Sequence, residues 1–176
     1  MVKSTKAVFI DRDGVLNKPI LIRKKSYAPT KLKDFRLYPH VSKFCKMLKK
    51  KGYLLIVVSN QPDYLRKKIS LKILHEMNNK LKEKIGFDDI FIALSSNKKN
   101  FFKKPNPGML LKAKKKYKID FKKSYLIGDR SVDIEAANKV GCKSIFIDRK
   151  YSELKPTYQI KNTNSFQGAA KFILLS

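Results

Sequence analysis

The sequence predicts an α/β protein, a three-layer, Rossmann-like open parallel sheet with helices on both faces. Three observations predict it. Short runs of β-branched and aromatic residues alternate with stretches of helical period along the whole chain, which is the pattern of βαβ units. Three of the apolar runs end directly on a polar residue, at Asp11, Ser59 and Asp129. The carboxyl ends of the strands in such a sheet share one edge, where ligands bind, so these three side chains are expected to converge. The 176 residues, 43% of them hydrophobic, suit one domain spanning residues 1–176 with a genuine core.

The elements follow in order. Ala7-Val8-Phe9-Ile10 is a buried strand, closed by Asp11-Arg12-Asp13-Gly14-Val15-Leu16-Asn17. Lys18 to Arg36, broken by Pro19 and Pro29, is expected to be irregular and is too short for a separate lid domain. His40 to Lys51 carries Val41, Phe44, Cys45 and Leu48 as a helical stripe, with Gly52 closing it. Tyr53 to Val58 is a second buried strand, ending at Ser59-Asn60-Gln61. A helix over Ser70 to Lys84 takes Ser70 as its N-cap. Asp89 to Leu94 is a third strand, and Pro107-Gly108-Met109 opens a helix to about Lys118. Ser124 to Ile127 is a fourth strand, Ser131 to Val140 a helix stopped by Gly141, and Lys143 to Ile147 a fifth strand. Ser165 to Leu175 closes the chain as a helix.

The formal net charge is +27, from 41 Lys and Arg against 14 Asp and Glu. Such a surface attracts phosphate-rich partners. The lysines are nevertheless scattered along helix faces, as at Lys49-Lys50-Lys51 and Lys114-Lys115-Lys116, without the aromatic interleaving of a single-strand platform. Free use of Lys, Asn, Ile and Phe also matches an A+T-rich genome, so nucleic acid stays open as a partner and is not favoured. No run reaches the length of a membrane span, and no apolar stretch of signal-peptide length stands before the strand ending at Ile10. A cytoplasmic monomer with no membrane partner is expected. Cys45 and Cys142 stand far apart in no C-x-x-C pattern and are read as core thiols.

Four stretches carry chemistry. Two carboxylates two residues apart after a buried strand are costly unless a cation shares their site. Alternation sends Asp11 and Asp13 to opposite faces, and Gly14 supplies the turn that brings them to one ion. Oxygen ligands suit a hard divalent cation, Mg²⁺ above all. Alone, D-x-D-G also occurs in calcium loops and hairpins, so its weight comes from the three stretches downstream of it. Ser59 offers a hydroxyl and backbone amides to a phosphoryl oxygen. Lys103-Lys104-Pro105-Asn106-Pro107 sets a cation in a stiffened loop, able to neutralise charge on a transferring phosphoryl group. Gly128-Asp129-Arg130-Ser131-Val132-Asp133 places Asp129 towards a metal and Asp133 one turn into a helix; an acidic N-cap pair is the plainer reading.

Together these stretches resemble the four motifs of the haloacid dehalogenase (HAD) superfamily of aspartyl-phosphate hydrolases. The resemblance implies Asp11 as nucleophile and Asp13 as general acid/base, with the Asp13 backbone carbonyl on Mg²⁺. It implies Ser59 and Lys104 as phosphoryl-binding groups, and Asp129 on the metal with Asp133 in support. A narrower match runs through D-R-D-G-V-L-N, S-N-Q-P-D-x-x-R and K-P-N-P-G-M. It is similar to the capless subfamily containing D-glycero-D-manno-heptose 1,7-bisphosphate phosphatase and the histidinol-phosphatase domain. That implies a minimal cap, and Asn60, Gln61, Arg66 and Lys103 as substrate-binding residues. Lys103 stands where the subfamily usually has Arg, and the two are not equivalent at a bidentate phosphate site. The stretch Ile92 to Lys103 lacks Cys and His, so the structural zinc of many members is not expected. The implied reaction is Mg²⁺-dependent hydrolysis of a small sugar phosphate, with heptose 1,7-bisphosphate first. A polynucleotide 3′-phosphatase and a histidinol-phosphate phosphatase are the alternatives.

Overall fold

The computed structural model describes residues 4–176. In chain order the strands and α-helices are β1 (Ala7–Ile10), β2 (Ile20–Ile22), β3 (Lys25–Tyr27), α1 (Val41–Lys50), β4 (Leu54–Asn60), α2 (Leu71–Ile85), β5 (Asp89–Ala93), α3 (Gly108–Tyr117), β6 (Tyr125–Gly128), α4 (Ser131–Asn138), β7 (Lys143–Ile147), β8 (Lys161–Thr163) and α5 (Phe166–Leu175). Six strands form one sheet in the order β5-β4-β1-β6-β7-β8, every pairing parallel. β1 lies at its centre, with Phe9 opposite Ile56 of β4 and Leu126 of β6.

Alternation along the strands divides the core into two layers. Val8, Ile10, Leu55 and Val57 face α1, α2 and α5, meeting Leu48, Met77 and Ile173. Ala7, Phe9, Ile56 and Val58 face α3 and α4, meeting Met109, Leu110 and Ala137. β1 and the middle of β4 are apolar on both faces because both faces are covered, as a parallel sheet requires. The expected three-layer architecture is therefore present. Ser70 caps α2 as expected, its Oγ accepting from the Ile73 amide at 3.3 Å. Both cysteines are free and buried, and burial pushes the Cys142 thiol up to about 12. Among the described residues, no helix is long and apolar enough to cross a membrane.

Two elements differ from the sequence expectation. The stretch expected to be irregular, Lys18 to Arg36, holds the antiparallel hairpin β2–β3. Its two-residue turn is Arg23-Lys24, with φ of 48° and 61°. Such turns are signalled by Asn or Gly, and here neither is present. The edge strand β8 is the second difference, because Lys161-Asn162-Thr163 has no apolar residue to mark it.

Candidate active site

Asp11, Ser59 and Asp129 do converge. Asp11 follows β1 directly, Ser59 lies at the end of β4, and Asp129 follows β6. These three strands are neighbours in the sheet. All three side chains are buried, as are Lys104 and Asp133. A cleft of about 290 Å³ opens over them, lined by Asp11, Asp13, Ser59, Asn60, Arg66, Lys104, Arg130 and Asp133, and walled on one side by Lys25 to Ala28 of the hairpin.

Lys104 is the hub. Its Nζ donates to Asp11 Oδ1 at 2.6 Å and to the Val58 carbonyl at 2.7 Å, and it pairs with Asp133 Oδ1 at 2.6 Å. Burial opposes a charge on Lys104, but Asp11 and Asp133 outweigh it and hold the ammonium charged. The loop carrying Lys104 is fixed by Asn60, whose Oδ1 accepts from the Lys104 amide and whose Nδ2 donates to the Lys104 carbonyl, each at 3.0 Å. Asp133 also accepts from the Arg130 amide at 3.1 Å, closing the first turn of α4. A side chain at Gly128 would collide with Asp133, so the strand-to-helix turn needs glycine there.

Asp13 is caged by donors. Arg12 reaches its carboxylate through Nε and Nη2 at 3.1 and 3.0 Å, Asn17 Nδ2 donates to it at 2.9 Å and Gln61 Nε2 at 2.6 Å. Arg12 is completely buried, with Nη1 on Asn78 of α2 at 3.2 Å and its guanidinium 5.5 Å from the Phe35 ring. Gln61 also donates to Ser59 Oγ at 2.8 Å.

A third group has no such partners. Both carboxylate oxygens of Asp129 are buried without a hydrogen bond. Burial, then Asp11 and Asp133, push the Asp129 carboxyl well above its ordinary range. Burial likewise raises Asp11 to about 6, with Lys104 pulling it down and Asp133 pushing it up. Oxygens of Asp11, Asp129 and Asp133 all lie within 4.8 Å of one another. Arg12 and Lys104, with Arg130 at the cleft wall, supply three positive charges against the four carboxylates of Asp11, Asp13, Asp129 and Asp133. The all-oxygen donor set and the unpaired Asp129 therefore fit a hard divalent cation. Gly14 sits where a Cβ would overlap Asp129, and its φ of +92° adds a second reason for glycine.

The remaining expectations divide. Arg66 lines the cleft, more than half exposed and 3.3 Å from Asp63. Asn60 lines it too, but both ends of its amide hold the Lys104 backbone. Gln61, expected to touch substrate, is 1% exposed behind Asp13 and Ser59, so it orients those two. Lys103, expected to bind substrate beside Lys104, turns away: its Nζ is on the Ser96 carbonyl and it is absent from the cleft wall. Burial, then the nearby Arg66 and Lys98, lower its pKa. The carboxylates close enough together to share an ion are those of Asp11, Asp129 and Asp133, the last expected only in support, and not that of Asp13. Sequence reasoning missed Arg12, Asn17 and Arg130. Arg12 and Asn17 stand in plain view within D-R-D-G-V-L-N, but nothing about their spacing reveals that they clamp Asp13.

Comparison with known proteins gives this geometry a lineage. Residues 3–147 match the family model of the haloacid dehalogenase-like hydrolases. The chain belongs to that family. Among curated relatives of this HAD-like chain is the D-glycero-alpha-D-manno-heptose-1,7-bisphosphate 7-phosphatase of Photorhabdus laumondii, 35% identical over 156 residues and 81% of each chain. The D-glycero-beta-D-manno-heptose-1,7-bisphosphate 7-phosphatase of Helicobacter pylori J99 is 30% identical over 77% of this chain and 79% of its own. Among solved structures, a D,D-heptose 1,7-bisphosphate phosphatase from B. bronchiseptica, complexed with magnesium and phosphate, superposes with a TM-score of 0.83. It is 19% identical and covers 97% of this chain and 99% of its own, a likeness of fold.

Proposed function

We propose that this HAD-like hydrolase is a Mg²⁺-dependent phosphomonoester hydrolase acting on a small phosphorylated sugar, first of all the 7-phosphate of D-glycero-D-manno-heptose 1,7-bisphosphate. The observation that carries the reading is Asp11 beside Lys104, at the mouth of a cleft backed by an unpaired Asp129. The names of the relatives supply the substrate class.

The chemistry follows from the groups in place. A carboxylate oxygen of Asp11 attacks phosphorus and the bond from phosphorus to the sugar oxygen breaks. Asp13, entering as the acid, passes its proton to that leaving oxygen. Asp13 then takes a proton from water, whose oxygen attacks the phosphorus of the aspartyl phosphate and releases inorganic phosphate and Asp11. Ser59 and Lys104 hold the phosphoryl oxygens, Lys104 against the charge spread over them. Asp11, Asp129 and the Asp13 backbone carbonyl, with Asp133 beside them, would hold a divalent cation, which supplies charge neutralisation at the phosphoryl group. Arg12, Asn17 and Gln61 keep the Asp13 carboxylate aimed while its proton comes and goes. The hairpin and Arg66 shape the cleft for the sugar, with no separate lid domain among the described residues.

Phosphate release with Mg²⁺ from both anomers of heptose 1,7-bisphosphate, histidinol phosphate and a 3′-phosphorylated oligonucleotide, at low and moderate salt, tests the reading. Selective turnover of a bisphosphate with a shallow salt dependence is expected. Preferred turnover of the oligonucleotide, falling steeply with salt because several phosphates are contacted, would replace it.

A further inference from the structure

The loop that follows β7 ends against the back of the candidate metal site, and one of its groups has no evident purpose there. Tyr151 places its hydroxyl in the protein interior without a hydrogen-bond partner. A Cβ built on Gly14 would meet Asp129 Oδ2 and, at 2.8 Å, that same hydroxyl. A phenol with a free donor and a carboxylate with two free oxygens are thus side by side, each buried and each unpaired. A tyrosine hydroxyl keeps its proton at any physiological pH and so is available there as a donor.

The hydroxyl is not what holds the loop. Arg149 does that: its Nε donates to the Gly14 carbonyl at 2.7 Å, its Nη1 donates to the Asn164 carbonyl at 3.1 Å, and its guanidinium lies 4.0 Å from the Tyr38 ring. Farther along, the Ser152 amide donates to the Lys24 carbonyl at 3.1 Å, at the turn of the hairpin. Glu153 pairs with Arg130 at 3.1 Å. With the backbone pinned on both sides of Tyr151, the ring is delivered to Asp129 whether or not its hydroxyl bonds anything.

We propose that Tyr151 is a positioning residue for the divalent cation, its hydroxyl donating to the Asp129 carboxylate and fixing that group with a lone pair towards the ion. This rests on the reading of Asp129 as a metal ligand. Buried ligating carboxylates are commonly oriented by an outer donor, and loss of that donor typically weakens the metal by about 10–100-fold. Nothing else among the described residues donates to Asp129. The same loop touches the hairpin through Ser152, so the group that orients the ion's ligand and the wall of the substrate cleft share one short segment.

The test is calorimetric titration of Mg²⁺ into the metal-stripped full chain, for wild type, Tyr151→Phe, Asp129→Asn and the double variant. The Phe ring keeps the packing, so the melting point without metal should stay level or rise. Mg²⁺ affinity of Tyr151→Phe should fall by about 10-fold or more, and Tyr151→Phe should have no further effect once Asp129 is Asn. Affinity within about twofold of wild type in Tyr151→Phe, with Asp129→Asn strongly weakened, would overturn the role of Tyr151 and leave the metal reading standing. Wild-type affinity in Asp129→Asn would remove both.

Discussion

Two buried regions meet at the carboxyl edge of the sheet, and they are built on opposite terms. Beneath it, Phe9, Ile56, Leu126 and their neighbours are fully buried and have no polar side-chain atom to satisfy. A few residues further along the same strands, Asp11, Ser59 and Asp129 are buried almost as deeply among charged partners. The apolar layers stabilise the fold through every contact they make. The polar edge crowds four carboxylates around the buried Arg12 and Lys104, with Arg130 at the cleft wall, and leaves both Asp129 oxygens without a hydrogen bond. A cluster of that kind costs stability in the metal-free chain, and on the proposed function it acts once a cation and a phosphoryl group arrive. Equal burial therefore has two meanings here, and substitutions should separate them.

The largest contrast is at Asp11. Asp11→Asn should abolish turnover, by on the order of 10⁴-fold or more, while leaving the melting point of the metal-free protein level or higher. Steady-state phosphate release and a thermal melt on one preparation check both halves. Asp13→Asn should lower kcat by about 10²–10⁴-fold while leaving Asp11 able to attack, so any residual turnover should depend strongly on the leaving group. Two residues back along β1, Phe9→Ala should do the reverse. It should cost about 3–5 kcal/mol of stability in a chemical-denaturation series, with kcat of the folded fraction little changed. A Phe9→Ala protein that is stable but inactive would erase the distinction between the two regions.

A smaller effect is the pH dependence of the chain without metal. Asp11 is raised from 3.8 to about 6 in the folded state. Between those values the folded protein keeps a proton that the unfolded chain has released. Stability should therefore be highest below about pH 4 for this group and fall as pH rises through 6, with Asp129 shifted in the same direction. Melting points from about pH 4.5 to 7.5 with a chelator measure it, and added Mg²⁺ should flatten the decline. Asp11→Asn should flatten it partly with no metal added.

How far the sequence reaches follows the same divide. The apolar strands are legible because a sheet covered on both faces leaves continuous apolar runs, as at Ala7 to Ile10 and Leu55 to Val58. Asp11, Ser59 and Asp129 are legible because strand ends in a parallel sheet share an edge, so order along the chain becomes proximity in space, and Lys104 is legible from the proline-stiffened loop ahead of α3. Which way a polar side chain turns once it arrives is not legible. Gln61 bonds backwards to Asp13 and Ser59, and Lys103 swings out to Ser96 beside a Lys104 that points in. Arg12 reads as a spacer between two aspartates, since arginine is seldom wholly buried, and its partner Asn78 lies 66 positions away. The hairpin is hidden because Arg23-Lys24 adopts a left-handed turn without glycine or asparagine.

The central claim is that the polar edge exists to make and break a phosphoryl bond at one carboxylate. Heptose 1,7-bisphosphate with Mg²⁺ can be quenched in acid during turnover and reduced with borohydride, which converts an aspartyl phosphate to homoserine, and the peptides then sequenced by mass spectrometry. Homoserine at position 11, absent in Asp11→Asn and without metal, is the predicted result. Full turnover with no modification at position 11, or with the label at Asp13 or Asp129, would contradict it.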